Sequence, residues 1–413
     1  MMNFRSATRC DSVSAWDDDP VVASWNGLPV LEQNVTADAC VVGLGGSGLA
    51  AIGALVERGL QVVGVDAGRV AAGAAGRNGG FLLGGPATFL HSSLTTWGTS
   101  SVDLYRATLL ELDRLAEMLG PEVIARTGSI RLAGLPGEPV DDAEAADRVA
   151  ELADCAALAT VLRDNDIAVE EYDDELGRGL FLSDDAAMNP SRRALGLASL
   201  LRGRAGLYEH SAVTAVESGR VTTEHGSISA PVVIVAVDGK LERVLPVLQG
   251  RVRTARLQML GTAPGLPERL PCPVYGRWGY DYAQQAKDGR LFVGGGRDRF
   301  VDTEWTFDTS PTPDVQGYIE RVAERMAGKP VDVVRRWGAS VSYTTDGRPL
   351  CSEVLPGVIA IGGYNGTGNL VGPVAARAAV ALALDSTTPP VYFSPLDRNR
   401  ANAVFRCVNT RIG

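Results

Sequence analysis

The sequence is short of the residues that build metal, redox and nucleic-acid sites. It has three histidines, His91, His210 and His225, set far apart, so a His-rich metal site or chemistry needing two cooperating imidazoles has little to draw on. Its six cysteines (Cys10, Cys40, Cys155, Cys272, Cys351, Cys407) include no C-x-x-C pair, which argues against a zinc knot, a redox dithiol and a disulfide framework. They read as free thiols, with Cys40 inside an apolar strand. Lysine is as scarce as histidine: Lys240, Lys287 and Lys329 are all there is. Acidic residues outnumber basic ones 49 to 39, and a net charge of −10 repels polyanions, so nucleic acid is not an expected partner. No apolar run approaches the roughly 18 to 20 residues of a membrane helix, so no membrane span is expected. Met1 to Cys10 lacks the apolar segment and small-residue cleavage site of a secretory signal. A soluble, cytoplasmic protein without a metal is the expectation.

What the chain does have is length and glycine. Its 413 residues, at about 150 per domain, allow two or three domains, and 48 of them are Gly. Residues 1 to about 35 are polar, with Asp17-Asp18-Asp19 ahead of Pro20, and read as a leader lying over a domain. From Ala37 an apolar run to Val42, a glycine-rich turn, a helical stretch from Ser47 to Arg58 and a second apolar run from Gln61 to Val65 form a β-α-β unit. Helices are predicted over 103–119 and 141–164, as one helical layer, and after Asn189-Pro190, read as an N-cap and first turn. Val232 to Val237 is apolar throughout, which predicts a strand buried on both faces. Residues 251 to 300 read as antiparallel strands, with 279–286 and 290–294 joined at Lys287-Asp288-Gly289. A helix near 315–327, a strand near 331–343, a short strand at 358–361, a glycine turn and an Ala-rich helix to about 384 complete an α/β pattern with α+β elements.

The turn of the β-α-β unit reads Gly43-Leu44-Gly45-Gly46-Ser47-Gly48, and Asp66 ends the next strand. A lone GxGxxG is weak, but here it follows a strand, opens a helix and precedes an acidic residue placed to take a ribose hydroxyl: the dinucleotide fingerprint. Gly43 permits the tight turn, Gly45 lets backbone approach a pyrophosphate, and Gly48 lets helix pack on strand, with the helix N-terminus facing the anion. An ordinary glycine-rich β-α turn is the plain alternative. NAD and FAD share this fingerprint. The segment Gly76-Arg77-Asn78-Gly79-Gly80 and the turn Gly362 to Gly368 point to a flavin, because a second turn opening a helix supplies N–H groups and a positive helix end to an electron-rich ring.

Val65-Asp66-Ala67-Gly68, Gly76 to Gly80, Gly289 to Arg297, Arg336-Trp337-Gly338, Thr345-Asp346-Gly347-Arg348-Pro349 and Gly362 to Gly368 together resemble the FAD-dependent D-amino-acid oxidase, glycine oxidase and sarcosine oxidase superfamily. The leader and the Gly-Arg-Asn-Gly-Gly segment are most similar to its γ-glutamylputrescine-oxidase-like members. The resemblance covers about residues 14 to 385. It implies a discontinuous Rossmann-like FAD domain (36–95, 185–248 and 335–390), a substrate domain with an antiparallel sheet and helices (96–184 and 249–334) and a tail at 391–413. Carried onto this sequence, it implies FAD contacts from Gly43, Leu44, Gly45, Gly46, Ser47, Gly48, Asp66, Ala67, Arg69, Gly76, Arg77, Asn78, Gly79, Gly80, Val213, Gly338, Gly363, Asn365, Gly366, Thr367, Gly368 and Asn369. The implied reaction is C–N oxidation: a hydride leaves the carbon beside a neutral amine for the flavin, the imine hydrolyses, and electrons pass to O2 or another acceptor.

Departures from the family pattern bear on the substrate. Relatives that oxidise amino acids hold the substrate carboxylate with an Arg on the strand before the Thr-x-Asp-Gly turn, where this chain has Val341, or a Lys just after the C-terminal glycine turn, where it has Leu370. This shifts the reading towards an amine without an α-carboxylate, unless Arg297 or Arg277 supplies the cation. Ala339 stands where sarcosine oxidases carry the Cys that links flavin, so FAD is expected to be non-covalent. The strand that carries their oxygen-activating Lys reads Leu291-Phe292-Val293, which leaves oxidase and dehydrogenase both open. Trp278, Tyr280 and Tyr282 alternate along a predicted strand and would share one face as an aromatic wall. Tyr280, Tyr282, Trp337 and Tyr343 are the substrate-pocket candidates, with ordinary core packing the alternative, above all for Trp337. His91 is expected at the surface of a loop. Competing functions are amino-acid oxidation within the same superfamily, an NAD-dependent dehydrogenase, and a flavin-binding protein without turnover.

Overall fold

In a computed structural model, which describes residues 13 to 394, the β-α-β unit consists of the strand Ala39–Val42, the helix Gly46–Glu57 and the strand Val62–Val65. Both strands are buried along their whole length, as continuous apolar runs require. They pair in parallel with each other, and Ala39–Val42 pairs in parallel with Val232–Val235, which pairs with Val358–Gly362. Gly206–Tyr208 extends one edge in parallel and Leu350–Leu355 closes the other edge antiparallel, giving a six-stranded sheet. The strand predicted at 232–237 lies inside this sheet with Val233, Ile234 and Val235 inaccessible to solvent.

Helices Gly46–Glu57 and Gly368–Asp385 cover one face, where Leu49, Ile52, Leu370 and Ala376 share a core with Val41 and Ile234. A four-stranded sheet covers the other face, its Val221 and Ile228 packing with Cys40, Val63 and Val235. Asn189 caps the helix Pro190–Leu201 as expected, its side chain accepting the Arg192 N–H.

An eight-stranded sheet organises the other half, in the order Val333–Thr344, Val252–Thr262, Leu291–Gly294, Asp281–Gln285, Val274–Gly276, Ser129–Leu132, Gly177–Leu182, Glu170–Asp174. Its two long strands pair antiparallel from Val252 opposite Thr344 to Thr262 opposite Val333. The predicted hairpin is present, with Gly289 at φ +86° in the turn and Lys287 exposed at its tip. Helix Pro313–Ala327 packs on this sheet through Val315, Ile319, Val322 and Met326.

Four expectations change. The strand predicted from Gly279 begins at Asp281; Arg277, Trp278 and Gly279 form a turn with φ of +50°, +58° and +86°, so strand alternation does not set Trp278, Tyr280 and Tyr282 on one face. The long helices are not a layer of their own. Ser100–Leu119 gives Leu104, Leu112 and Leu115 to the core beside the six-stranded sheet, whereas Cys155, Leu158 and Leu162 of Asp142–Asp164 pack with Leu180 and Leu182 of the eight-stranded sheet. His91 sits in helix Leu90–Trp97, partly buried, with Nε2 3.4 Å from Asp154.

The leader does more than lie over one domain. Asp17 pairs with Arg69 (2.6 Å), Asp18 with Arg290 (2.7 Å) and Arg335 (3.0 Å), and Asp19 with Arg192 (2.8 Å), so the acidic run is held from both halves. Cys10, Cys407, the Met1 to Cys10 segment and the tail beyond residue 394 lie outside the described residues. Among the described residues no helix is long and apolar enough to cross a membrane, and no cluster of His, Cys, Asp and Glu could hold a metal.

Candidate active site

The first glycine turn separates packing from ligand space. Gly43 has φ +104°, and a Cβ on it would lie 2.8 Å from the Ala236 carbonyl oxygen; a Cβ on Gly48 would lie 1.8 Å from the Gly43 oxygen, so helix and turn meet with no room for a side chain. Gly45 is different. Its backbone is extended (φ −82°, ψ −174°), and a Cβ there would meet only Ala75 Cβ, at 3.4 Å. The space beside Gly45 belongs to a cavity, and the N-terminus of helix Gly46–Glu57 borders it.

Asp66 ends the second strand of the unit. One carboxylate oxygen accepts the Leu44 N–H (2.8 Å) and the other accepts the Gly68 N–H (2.9 Å). Burial raises its pKa, while the two backbone bonds pull it the other way. The residue therefore lines the cavity and also ties the glycine turn to the strand end, a structural role the ribose expectation did not include.

Two segments nearly three hundred residues apart meet through an amide pair. Asn369 Nδ2 donates to Asn78 Oδ1 (3.0 Å), and Asn78 Nδ2 donates to Asn369 Oδ1 (3.2 Å). Asn369 also donates to the Phe81 carbonyl (2.7 Å), and Asn78 Oδ1 accepts the Gly80 N–H (2.8 Å). The C-terminal turn is folded by Asn365, whose Oδ1 accepts the Thr344 N–H (3.0 Å) and whose Nδ2 donates to the Gly363 and Gly347 carbonyls (2.8 and 2.9 Å).

These turns surround one cavity of about 540 Å³. Of the residues expected at a cofactor, Gly43, Leu44, Gly45, Gly46, Ser47, Asp66, Ala67, Arg69, Arg77, Asn78, Gly79, Val213, Asn365, Gly366, Thr367, Gly368 and Asn369 line it. Gly48, Gly76, Gly80, Gly338 and Gly363 stand behind the lining, where a Cβ would meet neighbouring atoms at 1.8 to 2.5 Å. They shape the wall without facing the space.

Tyr280, Tyr282 and Tyr343 line the cavity, as does Trp278, but Trp337 does not. Alternation along Val333–Thr344 sets Trp337, Ala339, Val341 and Tyr343 on one face, and the cavity reaches only the last three. Trp337 is fully buried with Ala15, Trp16, Met259 and Phe292, and its Nε1 donates to the Arg77 carbonyl (2.8 Å). The leader fills the space over it: Trp16 stacks on Phe292 with ring centroids 3.4 Å apart and donates to the Asn78 carbonyl (2.9 Å). Val341 and Leu370, at the two family anchor positions, both line the cavity.

Sequence reasoning missed Arg131, Arg193, Asp238 and Trp305, all in the lining. Arg193 is 1% exposed and lies against Gly46; Nη2 donates to the Asn369 carbonyl (2.8 Å), Nε has no partner, and burial lowers its pKa to about 10. Asp238 accepts the Ser342 and Tyr364 N–H groups (3.2 and 3.3 Å), and burial raises its pKa to about 6. Neither belongs to a motif. Their partners lie 176 and 104 or more residues away, so no local signal marks them.

A dinucleotide suits these residues. There is open space at Gly45 and at Gly73, a helix N-terminus beside the first, a buried cation with an orphaned Nε at Arg193, and a carboxylate at Asp66. The comparisons with known proteins agree. The chain is 28% identical over 402 residues to the probable oxidoreductase OrdL of Rhizobium meliloti (strain 1021), covering 87% of this chain and 86% of that one. It is 25% identical over 374 residues to gamma-glutamylputrescine oxidoreductase of Escherichia coli (strain K12), covering 82% and 81%. The crystal structure of glycine oxidase from Geobacillus kaustophilus has the same fold, with a TM-score of 0.68 at 19% identity over 86% of this chain and 96% of that one. The family model described as FAD dependent oxidoreductase (DAO) matches residues 38–382, and with its glycine turns gathered round one cavity the chain belongs to that family of FAD-dependent oxidoreductases.

Proposed function

We propose that the protein oxidises the C–N bond of an amine whose reacting carbon bears no carboxylate, using FAD held non-covalently, with electrons passed to O2 as H2O2 or to another acceptor. The observation that carries this reading is the lining itself: Ala339, Val341 and Tyr343 on one strand face, together with Leu370, offer a reacting amine apolar and aromatic surface. Bound here, FAD supplies a two-electron acceptor. Gly45 and the N-terminus of helix Gly46–Glu57 take the pyrophosphate, and Arg193 adds a buried positive charge. The N-terminus of helix Gly368–Asp385 would favour negative charge on a flavin held beside it.

Trp278, Tyr280, Tyr282 and Tyr343 exclude water and hold the neutral amine by apolar contact. Burial pushes the Tyr282 hydroxyl well above its ordinary pKa, so it stays protonated and can donate but not take a proton. The amine reacts in its neutral form; loss of a hydride and a proton leaves an imine that water hydrolyses. The relative named gamma-glutamylputrescine oxidoreductase supports an amine substrate.

The test is anaerobic mixing of the FAD-loaded protein with primary, secondary and N-acyl polyamines and with glycine, sarcosine and D-amino acids. Bleaching of the flavin's visible absorption by amines and not by α-amino acids is the expected result. Bleaching by α-amino acids alone would overturn the substrate class, and bleaching by neither would overturn amine oxidation.

A further inference from the structure

Arg277 and Trp278 take left-handed backbone angles, φ +50° and +58°, ahead of Gly279 at +86°. Such positions suit Gly or Asn, and a bulky residue keeps one only where its surroundings over-determine it. Here they do, from two sides. The Arg277 guanidinium donates to Asp281 and to the Tyr318 hydroxyl (2.7 Å each) and to Asp298. Trp278 is held by the helix Asp142–Asp164: its backbone N–H donates to Glu151 (2.5 Å) and its indole Nε1 donates to Asp154 (2.6 Å). Residues three apart on a helix are neighbours on its surface, so one helix face takes both N–H groups of the tryptophan. The carboxylates are fixed in turn, Glu151 by the Gly134 N–H (2.7 Å) and Asp154 by His91, whose Nε2 lies 3.4 Å away.

Glu151, Asp154 and Arg277 do not line the cavity, whereas Trp278, Gly279 and Tyr280 do. Trp278 also packs on the core cluster of Phe89, Tyr105 and Leu158. The indole therefore stands between a filled core and open space, tied at its backbone and at its ring nitrogen. A ring held in this way does not swing aside to admit a wider ligand. Flavin and substrate have to share about 540 Å³, so the position of one fixed ring decides how much width is left.

We infer that Trp278 is the specificity-determining residue of the substrate pocket, selecting amines by the width of the group beyond the reacting carbon, and that Asp154 and Glu151 are the positioning residues that hold it. This rests on the reading of the cavity as the site of amine oxidation. A linear chain passes the indole, and a branched or cyclic one meets it.

The experiment uses the FAD-loaded protein and its Asp154→Ala, Asp154→Asn, Trp278→Phe and Asp154→Ala/Trp278→Phe variants. Flavin reduction is timed anaerobically over a range of hexylamine and of cyclohexylmethylamine, which gives an apparent affinity and a limiting rate for a linear and a wide amine. The corresponding alcohols, 1-hexanol and cyclohexylmethanol, are titrated while the flavin spectrum is followed, so that binding is read without chemistry. The parent should prefer the linear ligand of each pair. Asp154→Ala should weaken the linear amine roughly 3- to 10-fold, as loss of one hydrogen bond does, keep its limiting rate within about threefold, and narrow the preference over the wide amine. Asp154→Asn, whose Oδ1 still accepts the indole N–H, should stay close to the parent. Trp278→Phe keeps a ring but has no N–H to give Asp154, so it should narrow the preference too, and adding Asp154→Ala to it should change little more. Should Asp154→Ala not retain FAD, Trp278→Phe and Asp154→Asn carry the same test. The inference is overturned if linear and wide ligands bind the parent alike, if Asp154→Asn and Trp278→Phe both leave the preference as it is in the parent, or if Asp154→Ala acts as strongly beside Trp278→Phe as alone. If the alcohols show the preference and its loss while no amine bleaches the flavin, the Trp278 wall stands and amine oxidation falls. If both amines bleach the flavin equally well in every variant, amine oxidation stands and the wall falls.

Discussion

Gly45 and Gly48 are three residues apart and tolerate a side chain in opposite ways. At Gly45 the backbone is extended and a Cβ makes one ordinary contact, so Gly45→Val should fold and yet lose FAD, because its methyls occupy the space left for pyrophosphate. At Gly48 even Ala places a Cβ 1.8 Å from the Gly43 oxygen, so Gly48→Ala should lower the stability of the FAD-free protein too. Melting curves with and without FAD, and the flavin-to-protein ratio, separate the two; equal behaviour would count against a ligand at Gly45. Asp66 combines both roles. Asp66→Ala should raise the FAD dissociation constant about tenfold or more and also cost about 1–3 kcal/mol of stability, since the Leu44 and Gly68 N–H groups lose their acceptor. Titration of FAD into the apo variant and urea unfolding check each half. The motif made the glycines and Asp66 visible; which of them faces ligand depended on what stands opposite, and that is not written locally.

At the scale of an element, the Arg277 to Gly279 turn shows how a buried acid sets a loop. Three successive residues with positive φ bring Trp278 to the cavity, and the Trp278 N–H donates to Glu151 (2.5 Å), which also accepts the Gly134 N–H (2.7 Å). Burial outweighs these bonds and raises the Glu151 pKa to about 7 from 4.5. The folded chain therefore holds a proton that the unfolded chain releases across that range. Stability from this group is present below pH 4.5 and is lost as pH rises to about 7, with a slope of up to about 1.4 kcal/mol per pH unit. Glu151→Gln should flatten that slope in unfolding curves measured at either end of the window. An unchanged pH dependence would mean that Glu151 is ionised throughout. The hairpin and the β-α-β unit were legible because apolar period and turn chemistry are local. The Trp278 turn was not: its aromatic alternation fits a strand, and the carboxylates that hold it out of one, Glu151 and Asp154, lie 127 and 124 residues away.

On the scale of the whole molecule, one cavity draws on both sheets, so its ligand couples them. FAD at a hundred times its dissociation constant should stabilise the protein by about 2.7 kcal/mol, seen as a rise in melting temperature that Gly45→Val lacks. A rise of equal size in that variant would place the flavin elsewhere. The leader couples the same halves through Asp17, Asp18 and Asp19, and its Trp16 packs in one core cluster with Trp337. The sequence by itself determined the class of fold, the dinucleotide turn and the second glycine turn, because each is carried by residues close together in the chain. Only the tertiary structure decided that Trp337 is core, that Arg193 lies under the first turn, and that Arg297 packs against the rings of Trp305 and Tyr343. Burial and charge compensation depend on which distant segments are packed around a residue, and a partner that lies a hundred or more positions away leaves no mark beside it.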